Sequence, residues 1–354
     1  MDAQHLFPSA TDLLKSLIAI PRTSRHEDEA ARKLAGWMME HGLSPTREKN
    51  NVWCKSEGFN PDKPTILLNA HIDTVAPVDS WTRCPYKPET DSHGRIYGLG
   101  SNDCGGGLVA LLHTFIALNG TTQDYNLIFL ATAEEEISGT GGMQHMVPLL
   151  PPIALAIVGE PTGMQPAIAE KGLMVLDLTT HGRAGHAARR EGVNAIYEAI
   201  DDLNWIRTYT FEKVSPLLGP TLMQATAISG GNAHNVVPDR CHITVDVRTN
   251  DLYTNQEVLD IIRSHVKSDA EPRSMRLNPS HIDPDHPFVA RAIAIGKTPF
   301  GSPTLSDQAL MPWTSLKMGP GESSRSHTAD EYIYDKEIDD AIKTYIRLLD
   351  GLQL

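Results

Sequence analysis

The sequence predicts an α/β protein built on a sheet covered on both faces, with a smaller α+β domain inserted into it. Three observations carry this expectation. In the first third of the chain, continuous apolar runs of strand length alternate with amphipathic helical stretches. After Gly172 the runs give way to alternating apolar and polar residues, the signature of half-exposed antiparallel strands. From His286 onward helical and strand signals of the first kind return. A chain of 354 residues suits two domains at roughly 150 residues each.

Taken in order, Leu13, Leu14, Leu17 and Ile18 share one helix face, as do Ala30, Ala31, Leu34 and Met38 before Gly42 ends the second helix. TILLNA at 65–70, YNLIFLA at 125–131 and IALAIV at 153–158 read as strands buried on both faces. GGGLVALLHTFIAL at 105–118 is the crossover helix between the first two. MVLDLTT at 174–180 and CHITVDVR at 241–248 are the alternating strands. Between them VNAIYEAIDDLNWI places Val193, Ile196, Ile200 and Leu203 on one helical face, and QEVLDIIRSHV supplies a second amphipathic helix. The closing helix aligns Ile338, Ile342, Ile346 and Leu349. The expected domains are therefore 1–172, 173–282 and 283–354, the last completing the first.

Bulk composition narrows the function. Hydrophobic residues at 40% and charged residues at 21%, with no apolar run of bilayer length, describe a globular chain without a membrane segment. MDAQHLFPSATDLL lacks a basic n-region and an apolar stretch, so no secretory signal is expected and the cytoplasm is the expected location. Cys54, Cys84, Cys104 and Cys241 show no CxxC spacing, which argues against a disulfide framework or a thiolate zinc knuckle. A net charge of −13 repels phosphate backbones and sets nucleic acid aside as a partner, leaving small substrates.

The polar residues gather where such a sheet binds ligands, outside the carboxyl ends of its strands. His71 and Asp73 follow the first apolar strand, Glu134, Glu135 and Glu136 the second, and Glu160 the third. Asp103 stands at the mouth of the crossover helix and His327 in the loop GPGESSRSHTADE. Each has an ordinary alternative: a surface loop, a solvated acidic turn, a helix N-cap or an exposed histidine. Together, imidazole and carboxylate without thiolate suit zinc or a similar divalent ion, and the crowd of acids needs cations to offset its self-repulsion.

In chain order, HID (71–73), GLGSNDCGGG (98–107), ATAEEEISG (131–139), GEPTG (159–163), GRAGHAAR (182–189), HNVVPDRCHITVDVR (234–248) and SHTADEYI (326–333) resemble one family. It is the co-catalytic zinc peptidase family of acetylornithine deacetylase, succinyl-diaminopimelate desuccinylase, aminoacylase and glutamate carboxypeptidase. GEPTG followed by EKG at 170–172, and GPG upstream of SHTADEY, most resemble the acetylornithine deacetylase branch. The resemblance implies a catalytic domain with a central mixed sheet flanked by helices, plus an inserted ferredoxin-like α+β lid and dimerisation domain.

It further implies two Zn2+ ions, with Co2+ able to substitute: His71, Asp103 and Glu160 on one, and Asp103, Glu136 and His327 on the other. Asp73 would accept the free N–H of His71, and Glu135 would take a proton from water. Three consecutive glutamates also admit Glu134 as base and Glu135 as ligand; the spacing from Thr132 and to the following Ser-Gly favours Glu135 and Glu136. Around Asp103 this chain departs from the family, with Cys104 and Gly105 where larger side chains are common; Cys104 reads as a buried structural cysteine.

In the inserted domain, His186 matches the histidine that stabilises the scissile carbonyl oxygen across a homodimer interface. Asn235 and Arg248 match positions that bind the substrate carboxylate, and strand alternation sets Arg248 opposite Cys241, Ile243, Val245 and Val247, its guanidinium free for that role. The implied substrate is a small N-acyl amino acid, N2-acetyl-L-ornithine or its N-succinyl counterpart, in arginine biosynthesis; a dipeptidase, carboxypeptidase or aminoacylase of the same superfamily is the alternative. A metal- or ligand-binding relative without turnover is the rival of another class, against which the presence of Glu135 speaks. A succinyl group would need one more cation, for which Arg183, Lys171 and Arg325 are candidates.

Overall fold

A computed structural model describes residues 3–189 and 191–354. The chain divides into two compact units, one of residues 1–168, 282–300 and 306–354, the other of residues 169–281 and 301–305.

In the first unit the strand Thr65–His71 lies between Asn126–Thr132 and Leu155–Val158 and runs parallel to both. Asn51–Lys55 adds antiparallel to Asn126–Thr132, and Ser315–Lys317 adds parallel to Leu155–Val158, so the sheet is mixed. The three central strands are fully buried because helices and loops cover both faces, and strand alternation sorts their side chains into two cores. Ile66, Leu68, Leu127, Phe129, Leu155 and Ile157 join the large cluster with the helices Ala3–Ile18, Gly106–Leu118 and Asp335–Leu349. Leu67, Ile128, Leu130 and Ala156 face a smaller one with Met143 and Met146. Among the described residues no helix is long and apolar enough to cross a membrane.

In the second unit a four-stranded antiparallel sheet has the order Leu222–Gly230, Arg240–Arg248, Met174–His181, Asp269–Pro272. With Ala195–Thr208 and Asn255–His265 this gives the β-α-β-β-α-β succession of a ferredoxin-like fold. Thr254 caps the second helix through a capping box with Glu257. The first helix differs from expectation. It buries Ala195, Ala199, Asp202 and Ile206 and packs Ile196 and Leu203 against the core, whereas Ile200 is 46% exposed and Val193, which precedes the helix, is 40% exposed. Small alanines let this helix lie close on the sheet, and the Asp202 carboxylate is buried because it accepts from the amides of Lys267 and Ser268.

Candidate metal centre

Three parallel neighbouring strands end side by side, which carries His71, the 134–136 glutamates and Glu160 to one edge of the first unit. Asp103 arrives from the turn before the helix Gly106–Leu118. That turn can come close because of its glycines: a Cβ on Gly107 would stand 1.8 Å from the carbonyl oxygen of Gly159, the neighbour of Glu160. His327 comes from the loop after Ser315–Lys317.

The side chains converge without any direct sequence proximity. His71 Nε2 is 3.1 Å from Asp103 Oδ1 and 3.6 Å from Glu160 Oε1. His327 Nε2 is 2.9 Å from Glu136 Oε2 and 3.6 Å from Asp103 Oδ2. Asp103 thus turns one oxygen toward each imidazole and lies between two donor groups. Glu135 is adjacent, close enough to share charge with His71 and Glu160. Glu134 points elsewhere: Gly141 N–H donates to its carboxylate at 3.2 Å, and Arg25 stands 3.9 Å away.

Asp73 behaves differently from the simple expectation. His71 Nδ1 donates to the main-chain carbonyl of Asp73 at 3.0 Å, while the nearest carboxylate oxygen is 3.6 Å away. The buried carboxylate instead accepts from Ser24 Oγ at 2.7 Å and from the backbone amides of Glu135 and Glu136 at 3.1 and 3.2 Å. Both glutamates are therefore held by their own peptide groups.

The charge balance shows what the cluster would accept. Burial and the neighbouring Asp103 charge push the Glu160 carboxyl up to about 8, and burial raises Glu135 well above the carboxylate range. The hydrogen bond to Glu136 lifts the His327 imidazole to about 9. Burial would raise Asp103, but the hydrogen bond and charge of His71 outweigh it and hold that carboxyl low. Carboxylates crowded in this way favour positive charge beside them. Glu160 Oε1 is also buried with no hydrogen-bond partner, which an acceptor meant for a cation would be. Two imidazoles, three carboxylates and this orphaned oxygen fit a divalent metal pair. Cys104 Sγ lies within reach of His71 and Glu160 but donates to the Gly159 carbonyl at 3.0 Å and is buried.

Two residues without an assigned role tie the centre together. Glu331 is 2% exposed and accepts from the amides of Gly100, Asn102 and Asp103 at 2.9, 2.7 and 2.9 Å. Arg22, 3% exposed, donates to the carbonyls of Ile72, Leu17 and Gly100 at 2.7, 2.6 and 3.0 Å. An acid directly before the strand Tyr332–Tyr334 is a readable signal for Glu331; nothing in the sequence marks Arg22.

In the second unit the two-residue strands Gly185–His186 and Val236–Val237 pair, and Asn235 O accepts from Ala187 N at 3.0 Å, so His186 and Asn235 are neighbours. Arg248 does lie opposite the buried Cys241, Ile243, Val245 and Val247. Its guanidinium is not free, however: it forks onto Asp246 at 2.8 and 3.1 Å, the outward neighbour two residues back on the same strand face. Of the three candidate cations, Arg325 is held bidentately by Glu337 at 2.7 and 3.1 Å, and Lys171 Nζ donates to the Pro220 carbonyl at 3.1 Å. Arg183 is exposed.

A family model described as peptidase family M20/M25/M40 matches residues 67–351. Acetylornithine deacetylase of Klebsiella pneumoniae is 29% identical over 92% of this chain and 93% of its own length. The enzyme of the same name from Pectobacterium carotovorum is 29% identical over 94% of each chain. Among solved structures, aminopeptidase PepT from Bacillus cereus superposes with a TM-score of 0.77 at 17% identity over 97% of this chain and 98% of that one. The Bacillus subtilis YXEP protein, described as a dinuclear metal binding peptidase, gives 0.75 at 17% identity over 99% and 100%.

Proposed function

The chain belongs to peptidase family M20/M25/M40 and is a hydrolase, and from that premise we propose that it removes the acyl group from an N-acyl-L-amino acid, N2-acetyl-L-ornithine or its N2-succinyl counterpart. The observation that carries this reading is the convergence of His71, Asp103, Glu136, Glu160 and His327 from five separate segments, with Glu135 beside them. Deacetylase relatives matching along nearly the whole chain support the substrate class.

His71, Asp103 and Glu160 would hold one zinc ion and Asp103, Glu136 and His327 the other. Metal held there would supply Lewis acidity and lower the pKa of water toward neutrality. Glu135, fixed by the bond from its own amide to Asp73, takes the proton of the attacking water and delivers it to the leaving nitrogen, worth typically about a hundred- to ten-thousand-fold. Water and amide thus yield a carboxylic acid and a free amine. Arg248 would bind the α-carboxylate by exchanging its Asp246 partner for the substrate.

We also infer a homodimer through the second unit. Leu222–Gly230 is an edge strand of its sheet, with Leu222 51% and Ile228 56% exposed; on the adjoining helix Tyr197 is 68% and Ile200 46% exposed. Pairing of two such edges would cover these residues and let His186 of one copy serve the carbonyl oxygen in the other.

The test is an assay of zinc-loaded protein on acetylornithine, succinylornithine and simple dipeptides. Release of ornithine, lost in Glu135→Gln with metal retained, supports the reading. Turnover of dipeptides alone would move the assignment to a peptidase, and metal binding without any turnover would refute it.

A further inference from the structure

The loop that brings His327 to the centre carries one carboxylate that the machinery above does not use. Glu322 follows Gly319, Pro320 and Gly321, and its backbone is clasped from two sides. Its N–H donates to Asn102 Oδ1 at 3.1 Å, and Asn102 Nδ2 donates back to its carbonyl at 3.1 Å. An antiparallel bridge pairs it with Thr162. Asn102 directly precedes Asp103, and Thr162 lies just past Glu160 and Pro161, so Glu322 is locked beside two donors of the centre.

The side chain reaches over Gly163, whose φ is +62°; a Cβ there would meet Glu322 Oε1 at 2.9 Å. A glycine both adopts that backbone and leaves room for the carboxylate. Glu322 is exposed, and among the described residues no hydrogen bond or ion pair engages its carboxylate. The basic residue of the same loop, Arg325, feels the charge of Glu322 but forms its ion pair with Glu337 and stacks over Tyr332 and Tyr334. A fixed anion with no hydrogen-bond or ion-pair partner, on the loop that also carries a donor of the centre, is a receptor for a cation.

We propose that Glu322 determines specificity by receiving a cationic side chain on the amino-acid half of the substrate, an ω-ammonium of the ornithine kind. This deepens the hydrolase reading and rests on it. A terminal ammonium on a flexible chain can meet the carboxylate while the amide lies at the metal centre, and an acidic side chain in its place is repelled.

Zinc-loaded wild type, Glu322→Gln and Glu322→Asp are compared on N2-acetyl-L-ornithine and on N-acetyl-L-norvaline, which has the same carbon chain without the amine. Loss of one charge-assisted bond raises KM for acetylornithine roughly 10- to 100-fold in Glu322→Gln with kcat held. Acetylnorvaline constants move by less than about threefold, and Glu322→Asp recovers part of the loss. Calorimetry with L-ornithine and L-norvaline as products reads the same contact without turnover. If wild type hydrolyses neither compound yet binds ornithine in a manner that Glu322→Gln abolishes, the hydrolase reading fails and the role of Glu322 stands. Equal losses on both substrates, no loss on either, or no preference for ornithine in any assay overturns the proposal.

Discussion

The carboxylate of Asp73 and the peptide N–H of Glu135 are joined by a 3.1 Å hydrogen bond, and the same carboxylate takes the N–H of Glu136 at 3.2 Å. One fully buried acid therefore sets the positions of both the proposed base and a proposed ligand. Asp73→Asn removes one acceptor oxygen and a charge, and kcat/KM is expected to fall roughly 10- to 100-fold. Steady-state kinetics beside zinc-affinity measurements check this; unchanged kinetics would show that Glu135 needs no such anchor.

Glu331 and Arg22 should matter to stability before they matter to chemistry. Glu331→Gln cannot accept all three amides of the Asp103 turn, leaving at least one unsatisfied at a cost of about 1–3 kcal/mol. Arg22→Leu strands three carbonyls and removes the cation that offsets buried Glu331, costing about 3–5 kcal/mol. Urea denaturation gives both values, and a smaller loss in Arg22→Leu than in Glu331→Gln would reverse the ranking.

Acid should weaken the fold through His113. Burial in the helix Gly106–Leu118 lowers its imidazole from 6.5 to about 4, and its Nε2 has no hydrogen-bond partner. The folded form prefers the neutral ring, so the unfolded chain binds the extra proton between those values. Stability is full above pH 6.5 and is lost as pH falls toward 4, by up to about 3 kcal/mol. His113→Leu should flatten that limb of the stability profile measured from pH 7 to 4; an identical slope in the variant would place the acid sensitivity elsewhere.

Much of this arrangement was legible in the residue order. The buried strands announced themselves because helices or loops cover both faces and leave no polar alternation, and His71 ends one such strand while Glu136 and Glu160 lie in the turns just past two others. What the sequence hid depends on partners distant in the chain. Arg248 is the exception, since its partner Asp246 is only two residues away on the same strand face, and alternation gives that face but not the pairing. The apolar bulk of Val193 and Ile200 pointed to a core face, while the small Ala195 and Ala199 won the close approach to the sheet. The return of residues 301–305 to the second unit follows from topology alone, with no change of pattern to mark it.

The exposed edge offers a test of assembly. Ile228→Arg puts a charge into the middle of the strand Leu222–Gly230, where it is 56% exposed in the single chain and therefore harmless to the core. Sedimentation velocity should show a dimer for the wild type and a monomer for the variant, with activity falling alongside. A wild-type monomer with full activity would remove the need for a second copy.

The pairing of two cations through Asp103 is tested most directly by anomalous scattering at the zinc edge from zinc-loaded crystals. Two peaks are expected, one among His71, Asp103 and Glu160 and one among Asp103, Glu136 and His327. A single peak that leaves Asp103 or His327 outside its coordination, or peaks away from these residues, would contradict the account.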